Sequence, residues 1–150
     1  MLLSELIAPD AVNLHLAATT RDDVLAELVG LLHVDERAGA TLVRMLKRRE
    51  QLGSTGIGRS IAIPHARSLV VSRLRLAFGR QPAGVDWDAI DGRPASAFFL
   101  IVAPPLEVAN QYLPTLGRIA QFAKEPDVPA RLGALARPEE FFALLREKGL

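Results

Sequence analysis

The chain has 150 residues, 49% of them hydrophobic, and a formal net charge of +1. This length and composition exclude a disordered chain and allow a buried core, so we expect one domain spanning residues 1–150. The balanced charge argues against a nucleic-acid partner held by bulk positive charge, and the absence of cysteine excludes disulfides, thiolate nucleophiles and thiolate metal sites.

We expect no signal peptide in the first residues of the chain. The first residues, MLLSELIAPD, include an acid and a proline and lack a basic segment, so they do not resemble a signal peptide. No apolar run approaches the roughly 20 residues that a membrane-spanning helix needs. The sequence therefore predicts a cytoplasmic protein without membrane insertion.

The first third of the chain combines strand and helix patterns. After an initial helical turn, residues 12–16 alternate apolar and polar side chains, as in a half-buried strand. Thr19 or Thr20 can cap a helix with acidic residues in its first turn. A second helix is predicted over residues 35–51, and Gly53 ends it.

Strand and helix patterns also alternate in the rest of the chain. Residues 61–63 form a short apolar run, residues 73–78 alternate, and residues 97–102 are continuously apolar, like a central strand covered on both faces. Turn-forming residues occupy residues 79–91. Helices are predicted over residues 108–122, 128–135 and 138–148. Interleaved strands and helices in one small domain predict a three-layer α/β sandwich.

The most informative stretch is EQLGSTGIGRSIAIPHAR, residues 50–67. Its glycines permit positive φ angles, so that successive backbone N–H groups can converge on an anion. Pro64 has a fixed φ and biases the preceding residue toward an extended conformation, which places His65 at the end of a stiffly held strand. A glycine-rich loop, a held histidine and neighbouring arginines together indicate phosphate chemistry on an imidazole.

The run TGIGRSIAIPHAR, preceded by RREQLGS, resembles the active-site signature of the IIA domains of the bacterial phosphoenolpyruvate-dependent sugar phosphotransferase system. The similarity is to the fructose/mannitol type, which includes the nitrogen-regulatory IIA proteins, and it extends over nearly the whole chain. It implies a three-layer α/β/α sandwich with a mixed sheet of about four or five strands and helices on both faces.

The resemblance also implies a function. It makes the chain a phosphotransferase component that uses no cofactor, in which His65 receives a phosphoryl group from an HPr-like carrier and passes it to a cysteine of a IIB-type partner. Phosphoryl transfer depends on positioning and electrostatic stabilisation. Arg49 is the arginine that the family places beside the histidine, and its planar donors match phosphate. The other predicted phosphate contacts are Ser54, Thr55, Gly56, Gly58, Arg67 and Tyr112.

Tyr112 marks a departure from the family. Family members commonly read APxxxxNxHL after the central strand, whereas this chain reads APPLEVANQYL, with Tyr112 in place of a second histidine. A phenol can bind phosphate or orient His65, but it does not titrate like imidazole near neutrality. The alternative function is therefore a regulatory module whose phosphorylation state controls a kinase or transporter without onward sugar phosphorylation.

Each of these residues also has a structural interpretation. His65 alone would fit a histidine packed in a turn, and Arg49 would fit a charge favoured at a helix C-terminus. Arg67 would fit an ordinary surface charge, and Ser54 and Thr55 would fit loop-forming residues. Tyr112 would fit a residue packed in the core. An anion-binding module that shares the fold without turnover is a third function class. The three scattered histidines do not have metal-ligand spacing.

Overall fold

The computed structural model describes residues 2–107 and 109–150. The helices are α1 (Leu3–Leu6), α2 (Arg21–Gly30), α3 (Glu36–Leu52), α4 (Tyr112–Ala123), α5 (Val128–Gly133) and α6 (Pro138–Glu147). The strands are β1 (Ile7–Asn13), β2 (Gly56–Gly58), β3 (Ile61–Ala62), β4 (His65–Arg67), β5 (Arg75–Val85) and β6 (Ala95–Ala103). Among the described residues, none of the helices combines the length and the hydropathy that crossing a membrane requires.

The strands form one mixed six-stranded sheet in the order β1-β5-β6-β3-β2, and β4 also pairs with β6. Strands β5 and β6 are antiparallel, while β3 and β4 both run parallel to β6. The last two are consecutive stretches along one edge of β6, and the break between them contains Pro64, which has no backbone N–H for the ladder. The predicted mixed α/β sheet is confirmed, and its short strands bring the total to six.

Helices cover both faces of the sheet, as predicted. On one face, Phe78 of β5 stacks on Phe141 of α6, with ring centroids 4.2 Å apart. Gly79 follows Phe78 and faces the other way, because successive strand residues point to opposite faces. A Cβ atom at Gly79 would lie 2.7 Å from a methyl carbon of Leu28 in α2. Helices α6 and α2 therefore lie on opposite sides of β5.

The start of α2 agrees with the cap expected from sequence, and the start of α3 has a cap at Asp35. The Thr20 hydroxyl accepts a hydrogen bond from the Asp23 amide at 3.3 Å, and the Asp35 carboxylate accepts one from the Ala38 amide at 2.8 Å. Helix α3 ends immediately before Gly53. The predicted helix start at Val108 lies outside the described residues, and α4 begins at Tyr112.

Two strand predictions were wrong in their limits. Strand β1 lies earlier than residues 12–16 and includes Pro9, which is tolerated because β1 is at the edge of the sheet. Strand β5 continues to Val85, through residues predicted as turns. It can continue because Arg80 and Gln81 are buried there with their side chains hydrogen-bonded to backbone carbonyls.

Candidate functional site

His65 is the first residue of β4, and its half-buried ring is held in one tautomer. Its Nδ1 atom lies 2.7 Å from the carbonyl oxygen of Ile63. A carbonyl can only accept a hydrogen bond, so the ring proton is on Nδ1 and Nε2 carries the free lone pair. The sequence could not identify this acceptor. The ring is therefore prepared to bind an electrophile through Nε2.

The imidazole opens into a groove of about 480 Å³ between α3, β4 and the start of α4. The groove is lined by Met45, Arg48, Arg49, Leu52, His65, Ala66, Arg67 and Tyr112. Four of the predicted site residues, from three separate elements, thus meet at one surface. Two of them carry guanidinium groups and one carries a phenol, a composition suited to an anionic group bound on the imidazole.

Arg67 and Tyr112 form a pair beside the histidine. The Arg67 guanidinium carbon lies 4.4 Å from the centroid of the Tyr112 ring, within cation–π range. Its Nη1 donates to the carbonyl oxygens of Pro104 at 3.1 Å and Pro105 at 3.3 Å. The Tyr112 and His65 ring centroids are 6.3 Å apart. Burial raises the pKa of Tyr112, against the opposing effect of the charges on Arg67 and Arg49, so the phenol is neutral at physiological pH.

Arg49 reaches the groove from the last turn of α3. Its Nη1 donates to the carbonyl oxygen of Gly53 at 2.7 Å, which fixes the guanidinium against the loop that follows the helix. Among the described residues, the hydrogen-bond partner of Arg49 is Gly53. The other donors of its fork can therefore bind a ligand in the groove.

The glycine-rich loop lies outside the groove lining, and its polar groups bind one another. The Ser54 hydroxyl donates to the Trp87 carbonyl at 2.5 Å and accepts from the Gly56 amide at 3.0 Å. Thr55 is buried, and its hydroxyl bonds Glu50 and Trp87. At Gly58, φ is +87°, and a Cβ would press on Asp91 at 3.2 Å. Phosphate contacts from Ser54, Thr55, Gly56 and Gly58 remain predictions.

Residues 5–148 match the family model described as phosphoenolpyruvate-dependent sugar phosphotransferase system, EIIA 2. The chain belongs to this EIIA 2 family. The EIIA 2 chain is 30% identical over 149 residues to a nitrogen regulatory protein of Bradyrhizobium diazoefficiens, a match that covers 97% of this chain and 95% of that protein. It is 32% identical over 137 residues to the fructose-specific EIIABC component of Bacillus subtilis, with 88% of this chain and only 21% of that protein covered.

Solved structures agree with this assignment. The nitrogen regulatory protein IIA-Ntr of Neisseria meningitidis has a TM-score of 0.86 at 28% identity, with 95% of this EIIA 2 chain and 98% of that chain covered. The mannitol IIA of Escherichia coli has a TM-score of 0.75 at 21% identity, covering 93% and 98% of the two chains. The second likeness concerns the fold alone. The family membership supports a phosphotransferase-type role.

One residue of this EIIA 2 site was missed by sequence reasoning. Glu50 is buried, with 3% of its surface exposed, and its carboxylate binds Thr55. A signal was available, because Leu42, Leu46 and Glu50 follow one another at four-residue spacing on α3. An acidic residue that continues an apolar stripe needs a specific partner inside the protein. No group of three or more potential metal ligands occurs in residues 2–107 and 109–150.

Proposed function

We propose that Nε2 of His65 accepts a phosphoryl group from a phosphohistidine of an HPr-type carrier in the cytoplasm, with residues 1–150 acting as one domain. The observation that carries the proposal is the 2.7 Å contact between Nδ1 and the Ile63 carbonyl, which leaves the Nε2 lone pair free. In the transfer, a bond forms between Nε2 and phosphorus while the donor's nitrogen–phosphorus bond breaks and returns its electron pair to the donor ring. The proton on Nδ1 stays in place throughout.

The arginines supply the electrostatic part of the mechanism. In a loose transition state the negative charge is spread over the three equatorial oxygens of the phosphoryl group. Arg49 and Arg67 approach the groove from α3 and β4, so their charges can act on these oxygens from two elements. The loop that contains Ser54, Thr55, Gly56 and Gly58 supports this arrangement, because hydrogen bonds that join Ser54, Thr55 and Gly56 to Trp87 and Ile90 hold it after the end of α3.

Onward transfer to a cysteine of a IIB-type partner is the second step. One solved structure with the same fold is a complex of mannitol-specific IIA with phosphorylated IIB from Escherichia coli, at a TM-score of 0.76 and 20% identity. The groove around His65 is open at the surface, and one of its lining residues, Leu52, is apolar and 82% exposed. Apolar side chains around a reactive centre suit the docking of a protein partner.

Phosphorylation assays with three histidine variants test the first step. Incubation with phosphoenolpyruvate, enzyme I and HPr should add one acid-labile phosphate to the wild type and none to His65→Ala. His15→Ala and His33→Ala are matched controls, because these are the other two histidines of the chain and neither lines the groove. Phosphorus NMR should locate the phosphate on Nε2. Incorporation that survives His65→Ala, or a wild type that no donor phosphorylates, would rule the proposal out.

A regulatory role is the second candidate. Two observations favour it: Tyr112 replaces the histidine expected from the family pattern, and the match to the nitrogen regulatory protein covers 95% of that protein. Phosphorylation would add charge and acceptor oxygens to the docking surface and so change its affinity for a kinase or transporter. Pull-downs with wild type, His65→Ala and His65→Glu should then recover different partners. Identical recovery by all three, together with rapid discharge to a IIB cysteine, would favour the transport role.

A further inference from the structure

We infer that Glu50 is a positioning residue for phosphoryl transfer to His65. Its buried carboxylate holds Thr55, and Thr55 in turn holds the backbone carbonyl that sets the tautomer of the histidine. Gly53, which lies between Glu50 and Thr55, accepts the hydrogen bond that orients Arg49. This inference rests on the proposed function of His65 and concerns how the imidazole is kept ready to react.

The first step is the bond between Glu50 and Thr55. The Oε1 atom of Glu50 accepts from the Thr55 amide at 2.8 Å, and Oε2 accepts from the Thr55 hydroxyl. The indole N–H of Trp87 approaches Thr55 Oγ1 at 3.2 Å. An indole nitrogen can only donate, so the hydroxyl oxygen accepts from Trp87, and its own hydrogen is available for the bond that it donates to Glu50. Both oxygens of the Glu50 side chain therefore accept hydrogen bonds from Thr55.

The second step links Thr55 to the histidine through two backbone bonds. The Thr55 carbonyl accepts from the Ile63 amide at 3.0 Å, and the Ile63 carbonyl accepts from His65 Nδ1 at 2.7 Å. Pro64, between them, has a fixed φ, so the orientation of Ile63 is transmitted to the ring. In water, a neutral histidine favours the tautomer with its proton on Nε2. A displaced Ile63 carbonyl would therefore let the reactive nitrogen become protonated and lose its lone pair.

The third step connects Glu50 to the arginine. The Gly53 amide donates to the Glu50 backbone carbonyl at 3.2 Å, and the Gly53 carbonyl accepts from Arg49 Nη1 at 2.7 Å. The Glu50–Thr55 bonds close a short loop around Gly53. Loss of the carboxylate would free this loop, and with it the carbonyl that orients the guanidinium. One buried side chain thus holds both the nucleophile and its electrostatic partner.

A purely structural role would be served better by an apolar residue. Glu50 continues the buried stripe of Leu42 and Leu46, where a leucine would pack without the desolvation cost of a carboxylate. The contacts of Glu50 instead lead to the reacting group. They are the kind of outer hydrogen bonds that hold a functional side chain in one tautomer and orientation.

The test reads the tautomer of His65 directly in the unphosphorylated protein. Long-range proton–nitrogen NMR correlations on nitrogen-15-labelled histidine distinguish Nδ1–H from Nε2–H. The wild type should show Nδ1–H, whereas Glu50→Ala should show a mixture containing Nε2–H. Leu46→Ala is the matched control, because it truncates a fully buried side chain one turn earlier on the same stripe. This variant should lose stability and keep the Nδ1–H tautomer.

The transfer rate gives the second readout. Glu50→Ala should lower kcat for phosphorylation about 10- to 100-fold, the effect of misplacing reacting groups by a fraction of an ångström to one ångström, with little change in KM for HPr. If Glu50→Ala does not fold, Thr55→Val replaces it, because this variant removes the hydroxyl bond and keeps the amide bond. It should shift the tautomer in the same direction but less.

Different results would overturn the proposed function of His65 and the positioning role of Glu50. A wild type that no HPr-type donor phosphorylates would overturn the proposed function. A Glu50→Ala protein that keeps the Nδ1–H tautomer and loses rate only in proportion to its folded fraction, as Leu46→Ala does, would overturn the positioning role. Because the tautomer is measured without phosphate, this second result does not depend on the first.

Discussion

Arg67 and Arg80 both donate hydrogen bonds to backbone carbonyls at the ends of elements, but their surroundings differ. Arg80 is 6% exposed and donates through Nε and Nη1 to the carbonyls of Leu14, Leu132, Gly133 and Leu135, at 3.2, 3.1, 3.3 and 2.6 Å. Arg67 is half-buried, and its hydrogen bonds to the described residues use Nη1 alone. The rest of its fork lies at the groove, over the Tyr112 ring.

This difference separates an arginine that builds the fold from an arginine that can serve a ligand. Arg80 satisfies carbonyls at the C-terminal end of α5, where the helix has no intrahelical donors and a cation is favoured by the dipole. Its charge faces carbonyl oxygens inside the protein. Arg67 is held in place by two carbonyls and an aromatic ring, and it retains donors that an anion can use.

The largest expected effect is on stability at Arg80. Arg80→Leu would leave several buried carbonyls without donors, so we expect the free energy of unfolding to fall by about 3–5 kcal/mol. Urea denaturation followed by fluorescence of the single tryptophan measures this. Arg67→Leu is the control, and it should lower the free energy of unfolding by no more than about 1 kcal/mol, because Arg67 is half-buried and one of its two partners, Pro105, is exposed. Equal losses at the two positions would remove the distinction.

The next effect is on phosphoryl transfer at Arg49. Arg49→Ala removes a guanidinium from the groove, so the phosphorylation rate should fall about 100-fold, as for the loss of one electrostatic stabiliser of a transition state. Arg49→Lys should recover part of the rate, since an ammonium keeps the charge without the planar fork.

Arg48→Ala is the matched control for that experiment. Arg48 also lines the groove but is exposed, so its removal should alter the rate by less than about 3-fold, as a screened surface charge would. Rates that fall equally in the two variants would show that the groove acts through its total charge and would contradict a specific role for Arg49.

A smaller effect is expected at Arg67. Arg67→Ala should lower the phosphorylation rate about 10-fold, less than Arg49→Ala, because Nη1 of Arg67 already bonds two carbonyls and its guanidinium lies over the Tyr112 ring. Arg67→Lys would keep the charge but lose the geometry of the stack. Phosphorylation assays at saturating HPr, quenched at a series of times, measure the rate. Full activity of Arg67→Ala would show that Arg67, like Arg80, has a structural role and does not assist phosphoryl transfer.

The candidate site residues could be predicted from the sequence, whereas the buried structural role of Arg80 could not, and the reason is physical. His65, Arg49 and Arg67 belong to one local motif whose chemistry can be read from residue types and spacing. Arg80 lies in a segment read as turns, because its carbonyl partners are 52 to 66 residues away along the chain and leave no local pattern. The same limit explains Thr55, whose bond to Trp87 spans 32 residues. A hydroxyl near a histidine suggests a phosphate contact, whereas the buried hydrogen bonds of Thr55 have no local sequence signal.

The smallest expected effect is a spectroscopic one at Tyr112, the only tyrosine of the chain. Burial raises its pKa above the ordinary value of 10.0, and the Arg67 charge partly opposes this. Because the folded pKa lies above the unfolded one, the stability that the neutral phenol contributes is fully present below pH 10 and is lost as the pH rises through the folded pKa. The absorbance change of phenol ionisation should therefore have its midpoint above pH 10 in the folded protein.

Charge substitutions sharpen this measurement. Arg67→Ala should move the midpoint upward, because the phenolate loses a neighbouring cation, whereas Arg80→Lys should leave it unchanged. Phosphorylation of His65, whose ring lies 6.3 Å from the phenol ring, should also move it upward by adding negative charge. Phosphoramidates are stable in base, so the phosphorylated protein survives the titration. A midpoint that responds to Arg80→Lys and not to Arg67→Ala would contradict the conclusion that the charge of Arg67 acts on Tyr112.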